Sequence, residues 1–408
     1  MVNSAERIVI VGAGHAGGAF AANLRQYGFK GQIDLVGNEE RLPYQRPPLS
    51  KTWLTESPDQ EALSLRPDSF YAQKDINLHL SSEVMHIDRA NKKVKLSSGK
   101  ALAYDYLVLA CGARPRQLPI EGGHLDGVHY LRTVNDADRL KTAIQGASHL
   151  AVVGGGFIGL EVAASARMMG VEVTVIEQQE RLLSRLASPY SSSFFAGLHQ
   201  SRGVNLILGA QVQAFHGQED RLEAVQFEGQ KLDCDAVLVG IGSVPNIMLA
   251  KQAGLDCDRG VLVDQLGRTS DPYIMAIGDM TQRPVQGLDE SVCLESVPGA
   301  LEQAKIVAAL LAGRDQFEEQ TPWFWSDQYD VKYQVVGIPG AGKEFVLRGE
   351  IENGSFSVFH FSDEQLVAVE SINAARDFMM MRRAMDKQQT VNAELLADNS
   401  QQISVALA

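Results

Sequence analysis

Short apolar runs rich in valine, isoleucine and leucine punctuate the chain and predict strands at 7–11, 33–36, 107–110, 150–153, 171–176, 204–208, 222–227 and 236–240. After the first of these, and again over 158–169, the pattern predicts a helix behind a glycine-rich turn, so the chain twice makes a strand–turn–helix–strand unit of a parallel sheet. Residues 59–82 read as irregular and helical, and a β pattern runs from Val84 through Lys95 to Tyr106. Beyond about 321 the pattern changes. Strand-like runs at 332–336, 344–348, 356–361 and 366–372 precede a helix over 374–387. The expected fold class is α/β: two Rossmann-like dinucleotide-binding domains plus a C-terminal α+β domain. Their expected bounds are 1–116 with 244–320, 117–243, and 321–408.

The turns carry the chemistry. In Val153-Gly154-Gly155-Gly156-Phe157-Ile158-Gly159-Leu160-Glu161, Gly154 allows the tight turn out of a buried strand, and Gly156 lets the backbone approach a pyrophosphate. Gly159 lets the helix pack on the sheet, and the helix N-terminus turns its partial positive charge to the phosphates. The next strand ends in Glu177, whose carboxylate can bond ribose hydroxyls and would repel a 2′-phosphate, which favours NADH over NADPH. Gly12-Ala13-Gly14-His15-Ala16-Gly17 repeats the device at the start of the chain. Two dinucleotide sites suggest two different dinucleotides, and FAD with NADH is the useful pair because a flavin accepts the hydride that a nicotinamide gives. Asn38 stands where an acid is usual after the second strand; Asn38 or Glu39 holds the FAD ribose, and the pattern does not choose. His15 reads as a solvent-facing or phosphate-neighbouring residue.

Composition narrows the classes. The 37 basic and 50 acidic residues give a net charge of −13, which argues against a general nucleic-acid binder. Cys111, Cys234, Cys257 and Cys293 are dispersed without a C-x-x-C, so no metal or cluster site is expected and free thiols in a reducing cytoplasm are. The apolar stretch 8–22 lacks a basic leader, and no run is apolar enough to span a bilayer. A cytoplasmic protein with no membrane association, more readily a monomer than an oligomer, is the expectation.

The segment Pro43-Tyr44-Gln45-Arg46-Pro47-Pro48-Leu49-Ser50-Lys51 is stiffened by its prolines. Either it presents Arg46 and Lys51 to a site needing fixed positive charge, or it is a braced surface loop. With the paired glycine motifs, Ile277-Gly278-Asp279, Glu295-Ser296-Val297-Pro298 and Pro322-Trp323-Phe324-Trp325-Ser326-Asp327-Gln328, it resembles the FAD-dependent NADH:ferredoxin reductases. These serve bacterial P450 monooxygenases and aromatic ring-hydroxylating dioxygenases. The resemblance spans nearly the whole chain and is specific as a set.

It implies a glutathione-reductase-like fold, FAD and NADH as cofactors, and a [2Fe–2S] ferredoxin as electron acceptor. Lys51 and Glu161 are then expected beside the flavin N5, and Trp325 over the ring near the electron exit, although a core anchor is the plainer reading of a tryptophan. Asp279 would meet the ribityl chain. Val297, opening a helix whose amides reach the pyrimidine end of the flavin, would stabilise negative charge there. Arg46, Val84 and Arg132 are further expected FAD contacts, and Ala16, Ala110, Ile158, Gly240 and Glu295 complete the cofactor set. Either Arg181 or Arg185 can meet NADH or can be a solvent-facing charge, and the resemblance favours Arg185. Cys111 replaces the usual threonine of the closing strand and is a weaker donor. Disulfide reductases and NADH peroxidases of this fold keep cysteine beside the flavin; between Gly37 and Lys51 this chain has none, so an external one-electron acceptor is implied. Two other readings fit the motifs: an oxidoreductase reducing rubredoxin, a quinone or oxygen, and a non-catalytic NADH-sensing flavoprotein.

Overall fold

The computed structural model describes residues 6–56, 58–285, 288, 290–314 and 320–407. It comprises two compact units, one formed by Met1–Arg46, Asp59–Arg114 and Val244–Gln320, the other by Pro47–Pro58, Pro115–Ser243 and Thr321–Ala408.

In the first unit five parallel strands run in the order Ile274–Ala276, Tyr106–Leu109, Arg7–Val11, Gln32–Val36, Ile76–His79. Ile8, Val9 and Ile10 of the central strand are fully buried because both faces of the sheet are covered. Helices His15–Gln26 and Val297–Leu311 pack on one face through Phe20, Leu24, Ala304 and Val307. A small antiparallel sheet, Val84–Asp88, Lys93–Leu96 and Ala101–Ala103, covers the other through Val84, Val94 and Leu96. The strand Ile76–His79 corrects the irregular and helical expectation for 59–82. Four residues are too few to show a period, and left-handed Asp75 and Ser81 bound them closely.

The second unit holds the other parallel sheet, ordered Val204–Leu208, Glu172–Glu177, His149–Val153, Ala236–Val239, Val128–His129. The helix expected over 158–169 spans Phe157–Met168. A helix missing from the expectations, Pro189–Ser201, follows an N-cap at Ser188; its serines and glycine interrupt the apolar period that would have revealed it. The C-terminal part is a five-stranded antiparallel sheet, ordered Trp323–Gln328, Val331–Gly337, Gln365–Ile372, Ser355–Ser362, Glu344–Glu350, with helix Ala375–Asp386 against it. Val152, Leu160, Tyr333 and Val358 belong to one apolar core, so this sheet and the nucleotide-type sheet are packed as a single body. Met381 is buried against the sheet, whereas Met379 is 53% exposed.

Candidate cofactor and redox site

Both glycine turns are built alike. Gly12 has φ +114° and a Cβ there would fall 2.1 Å from the Ala110 carbonyl oxygen; Gly154 has φ +105° and a Cβ would fall 2.5 Å from that of Gly240. At the third glycine of each turn, a Cβ on Gly17 would sit 1.9 Å from the Gly12 oxygen and one on Gly159 2.2 Å from the Gly154 oxygen. The middle glycines differ: nothing lies within 4 Å of a Cβ on Gly14, and only the Gly240 oxygen, at 3.9 Å, on Gly156. The outer glycines are therefore required by the fold and the middle ones face open space, the arrangement a pyrophosphate needs.

Around the first turn, Gly278 packs against Ala16, which brings the half-buried Asp279 to the start of helix His15–Gln26, and Gly37 packs against Ala13. The Gly278 N–H donates to Gln303 at 2.7 Å, tying that loop to the helix that Val297 opens. Arg46 donates to Glu39 at 2.8 Å and to the Tyr44 hydroxyl at 2.9 Å, and Tyr44 donates to the other Glu39 oxygen at 2.6 Å. Both Glu39 oxygens thus have partners, while Asn38 is exposed. Val84 has its side chain in the core, so what it offers a ligand is backbone. Glu295 is exposed beside the helix start. Lys51 and Arg132 belong to the second unit, where Arg132 precedes the capped helix Val134–Gly146.

The second unit contains a buried carboxylate with three donors. Helical spacing puts Phe157, Glu161 and Ser165 on one face of their helix. Phe157 meets the rings of Phe324 and Tyr333 at 5.2 and 5.6 Å between centroids. Glu161, 4% exposed, accepts from Lys51 Nζ at 2.7 Å and Ser50 Oγ at 2.5 Å on one oxygen, and from Ser326 Oγ at 2.6 Å on the other. Ser165 donates to the Ser50 carbonyl at 2.8 Å. Lys51 is further held where it is because Trp53 donates to Asp138 at 2.8 Å, Lys141 to the Trp53 and Glu56 carbonyls, and Leu54 enters the core. The proline segment therefore holds Lys51 in a fixed position against Glu161. Strand alternation aims Phe324, Ser326 and Gln328 inward and Trp323 and Trp325 to the other face. There the two indoles lie 5.7 Å apart, with Trp323 also against Phe378 and under Arg382. Trp323 is the anchor; Trp325 leans on it, half-buried.

Beyond the second fingerprint, Glu177 accepts from the Gly155 N–H at 2.6 Å and the Gln179 N–H at 2.7 Å, which holds its carboxylate at the rim of the turn. Arg181 is spent inside the following loop, donating to the Ala187 and Ser184 carbonyls and to Ser192 at 2.7, 2.8 and 2.7 Å. Arg185 is exposed, as is Ile158 at the first turn of the fingerprint helix. Of the two arginines, the geometry leaves Arg185 to reach a ligand.

Sequence reasoning missed Ser50, Ser165 and Ser326. Ser50 and Ser326 lie inside the motif strings, and the alternation of the Trp323–Gln328 strand could have marked Ser326 as the inward residue. Nothing local marks Ser165 as a donor.

Residues 6–304 match the pyridine nucleotide-disulphide oxidoreductase family model, and residues 323–407 match the reductase C-terminal model. A probable ferredoxin reductase of Castellaniella defragrans is 45% identical over 97% of this chain and 98% of its own. The chain belongs to the NADH:ferredoxin reductase family. Rhodocoxin reductase of Rhodococcus erythropolis, another similar reductase, is 43% identical over 98% of this chain and 94% of its own. The reductase in the crystal structure of the covalent putidaredoxin reductase–putidaredoxin complex superposes with a TM-score of 0.96 at 39% identity, covering 98% of both chains. The ferredoxin reductase fold expected from the motifs is the one observed: two parallel dinucleotide sheets and a C-terminal antiparallel domain. Among the described residues no helix is long and apolar enough to cross a membrane.

Proposed function

We propose that this chain transfers electrons from NADH to a [2Fe–2S] ferredoxin that feeds a P450 monooxygenase or an aromatic ring-hydroxylating dioxygenase, in the cytoplasm and as a monomer. The observation that carries this reading is the pairing of Lys51 with the buried Glu161 and its two serine donors, Glu161 being set on the helix that the second fingerprint opens. FAD, when bound, supplies the chemistry of accepting a hydride from NADH and releasing electrons one at a time. Gly12, Gly14 and Gly17, with Ala16, Ala110, Asn38, Arg46, Asp279 and Val297, are the residues that would hold it. Gly154, Gly156 and Gly159, with Ile158, Glu177, Arg185 and Gly240, would hold NADH. The FAD domain would comprise 1–116 and 244–320 and the NADH domain 117–243, with 321–408 serving the acceptor.

Lys51 supplies positive charge that favours electron-rich flavin, and Glu161 fixes the ammonium in place, while the buried serines orient the carboxylate. Trp325, half-buried against Trp323, offers a rigid aromatic face at the exit side. The experiment is an anaerobic NADH titration of the yellow protein followed by oxidised [2Fe–2S] ferredoxin. Flavin bleaching and then reduction of about two ferredoxins per NADH is expected, since a hydride carries two electrons and each cluster takes one. Bleaching with no onward transfer would overturn the ferredoxin assignment and leave the cofactor sites standing.

A further inference from the structure

A second buried cluster, around Glu370, is used by none of the chemistry above. Glu370, 1% exposed, accepts from the Ser188 N–H at 2.7 Å and from His360 Nε2 at 2.5 Å on one oxygen, and from the Tyr333 hydroxyl at 2.7 Å on the other. The other ring nitrogen of His360 faces the Pro339 carbonyl at 3.2 Å. Burial pushes the Glu370 carboxyl up, but the hydrogen bonds from His360, Ser191 and Tyr333 and the His360 charge outweigh it and hold it below the ordinary range. Buried polar contacts of this kind add little net stability, so the cluster's value lies in where it holds things.

What it holds is the loop that carries Arg185. Ser188 ends that loop and caps helix Pro189–Ser201. In mid-loop, left-handed Leu183 donates its N–H to the Gly155 carbonyl at 3.0 Å, so the loop also buttresses the second fingerprint turn. On the other side, a Cβ on Gly340, next to the Pro339 that His360 holds, would lie 3.7 Å from the Arg185 carbonyl oxygen. Glu370 thus bonds the end of the Arg185 loop directly, and His360 holds the Pro339 segment that lies beside the Arg185 backbone.

We propose that Glu370, with His360, is a positioning residue for pyridine-nucleotide binding, through which the C-terminal domain sets Arg185 against the NADH phosphates. This rests on the reading of Arg185 as a dinucleotide contact. The test measures NAD⁺ affinity of the FAD-loaded protein by calorimetry, together with kcat at saturating NADH, for Arg185→Ala, Glu370→Gln, the double variant and Tyr333→Phe. Arg185→Ala and Glu370→Gln should each weaken NAD⁺ by about tenfold, the scale of one charge-assisted hydrogen bond, and Glu370→Gln should leave kcat at saturating NADH unchanged. The double variant should be no weaker than Arg185→Ala alone. Tyr333→Phe removes a Glu370 donor without touching the loop and should leave affinity as it was. If Arg185→Ala binds normally, the Arg185 reading fails and the proposal with it. If Arg185→Ala weakens binding but Glu370→Gln does not, or if the two effects add, the positioning role alone is overturned. An equal loss in Tyr333→Phe would overturn it as well, by showing a general structural effect. Should Glu370→Gln fail to fold, His360→Asn, which keeps a donor toward Pro339 and loses the bond to Glu370, makes the same comparison.

Discussion

Replacing Lys51 by methionine keeps the length and apolar stem of the side chain and removes its charge. At 2.7 Å the Lys51–Glu161 attraction is roughly 6 kcal/mol at an effective dielectric of about 20, before desolvation is set against it. The measurable quantity is the cost of leaving Glu161 alone. A buried carboxylate stripped of its counter-ion costs about 3–5 kcal/mol, and the remaining Ser50 and Ser326 donors put this case at the lower end. Lys51→Met should therefore lower Tm by an amount on the order of 5 °C, and Lys51→Met with Glu161→Gln should recover most of it. The second readout is stopped-flow bleaching of the flavin by NADH. Loss of one preorganised charge at a reacting group slows such steps about 10²-fold, with FAD still bound. Reduction at the wild-type rate would remove Lys51 from the mechanism. A double variant no more stable than the single would show that the pair is not electrostatically coupled.

Other outcomes follow from the same geometry. Glu177→Ala removes the carboxylate at the rim of the second turn and should weaken NADH about tenfold while narrowing the preference over NADPH; an unchanged ratio of the two kcat/KM values would refute the ribose assignment. Gly156→Ala should fold with normal Tm yet lose NADH affinity, whereas Gly159→Ala, with its Cβ 2.2 Å from the Gly154 oxygen, should be strongly destabilised; calorimetry of both variants checks the contrast. Glu370 is held below its ordinary value of 4.5, so its ionisation contributes stability above pH 4.5 that is lost as pH falls through the lower folded value. Thermal melts across that acid range should show a shallower decline for Glu370→Gln than for the native chain.

How much was legible in the sequence depended on whether the physics was local. Strand 204–208 and the turns at Gly12 and Gly154 agree with the fold because their causes, β-branched runs and glycine sterics, lie within a few residues. Pairing Lys51 with Glu161, 110 residues apart, came from resemblance, since no local pattern makes residues so distant meet. The choice between Arg181 and Arg185 needed the loop itself: both are charged and near Glu177, and only the folded loop turns one guanidinium onto backbone carbonyls. The Glu370 cluster was invisible for the same reason, since its donors come from two other strands and a helix start that no local pattern links.

The family description speaks of disulphide chemistry, and the thiols of this chain do not suit it. A thiol relay needs a thiolate, and burial pushes Cys111 and Cys234 up to about 12 and raises Cys257 and Cys293 as well. All four are free cysteines, and they are scattered along the chain. Cys111 is turned to the Val11 carbonyl at 3.7 Å, a packing contact at the closing strand. The proline segment that resembles the family motif brings a lysine, not a sulfur, to the buried carboxylate at Glu161. With all four cysteines free, the chain offers no disulfide for electrons from NADH to reduce. An external ferredoxin, which takes one electron at a time, suits a flavoprotein that receives them in pairs. The test of that logic is a Ser50→Cys variant, which puts sulfur beside Glu161. If wild-type chemistry truly bypasses thiols, NADH-dependent reduction of a small disulfide should stay negligible in both proteins while ferredoxin reduction persists in the native one. Rapid disulfide turnover by the native chain would break the argument at its first step.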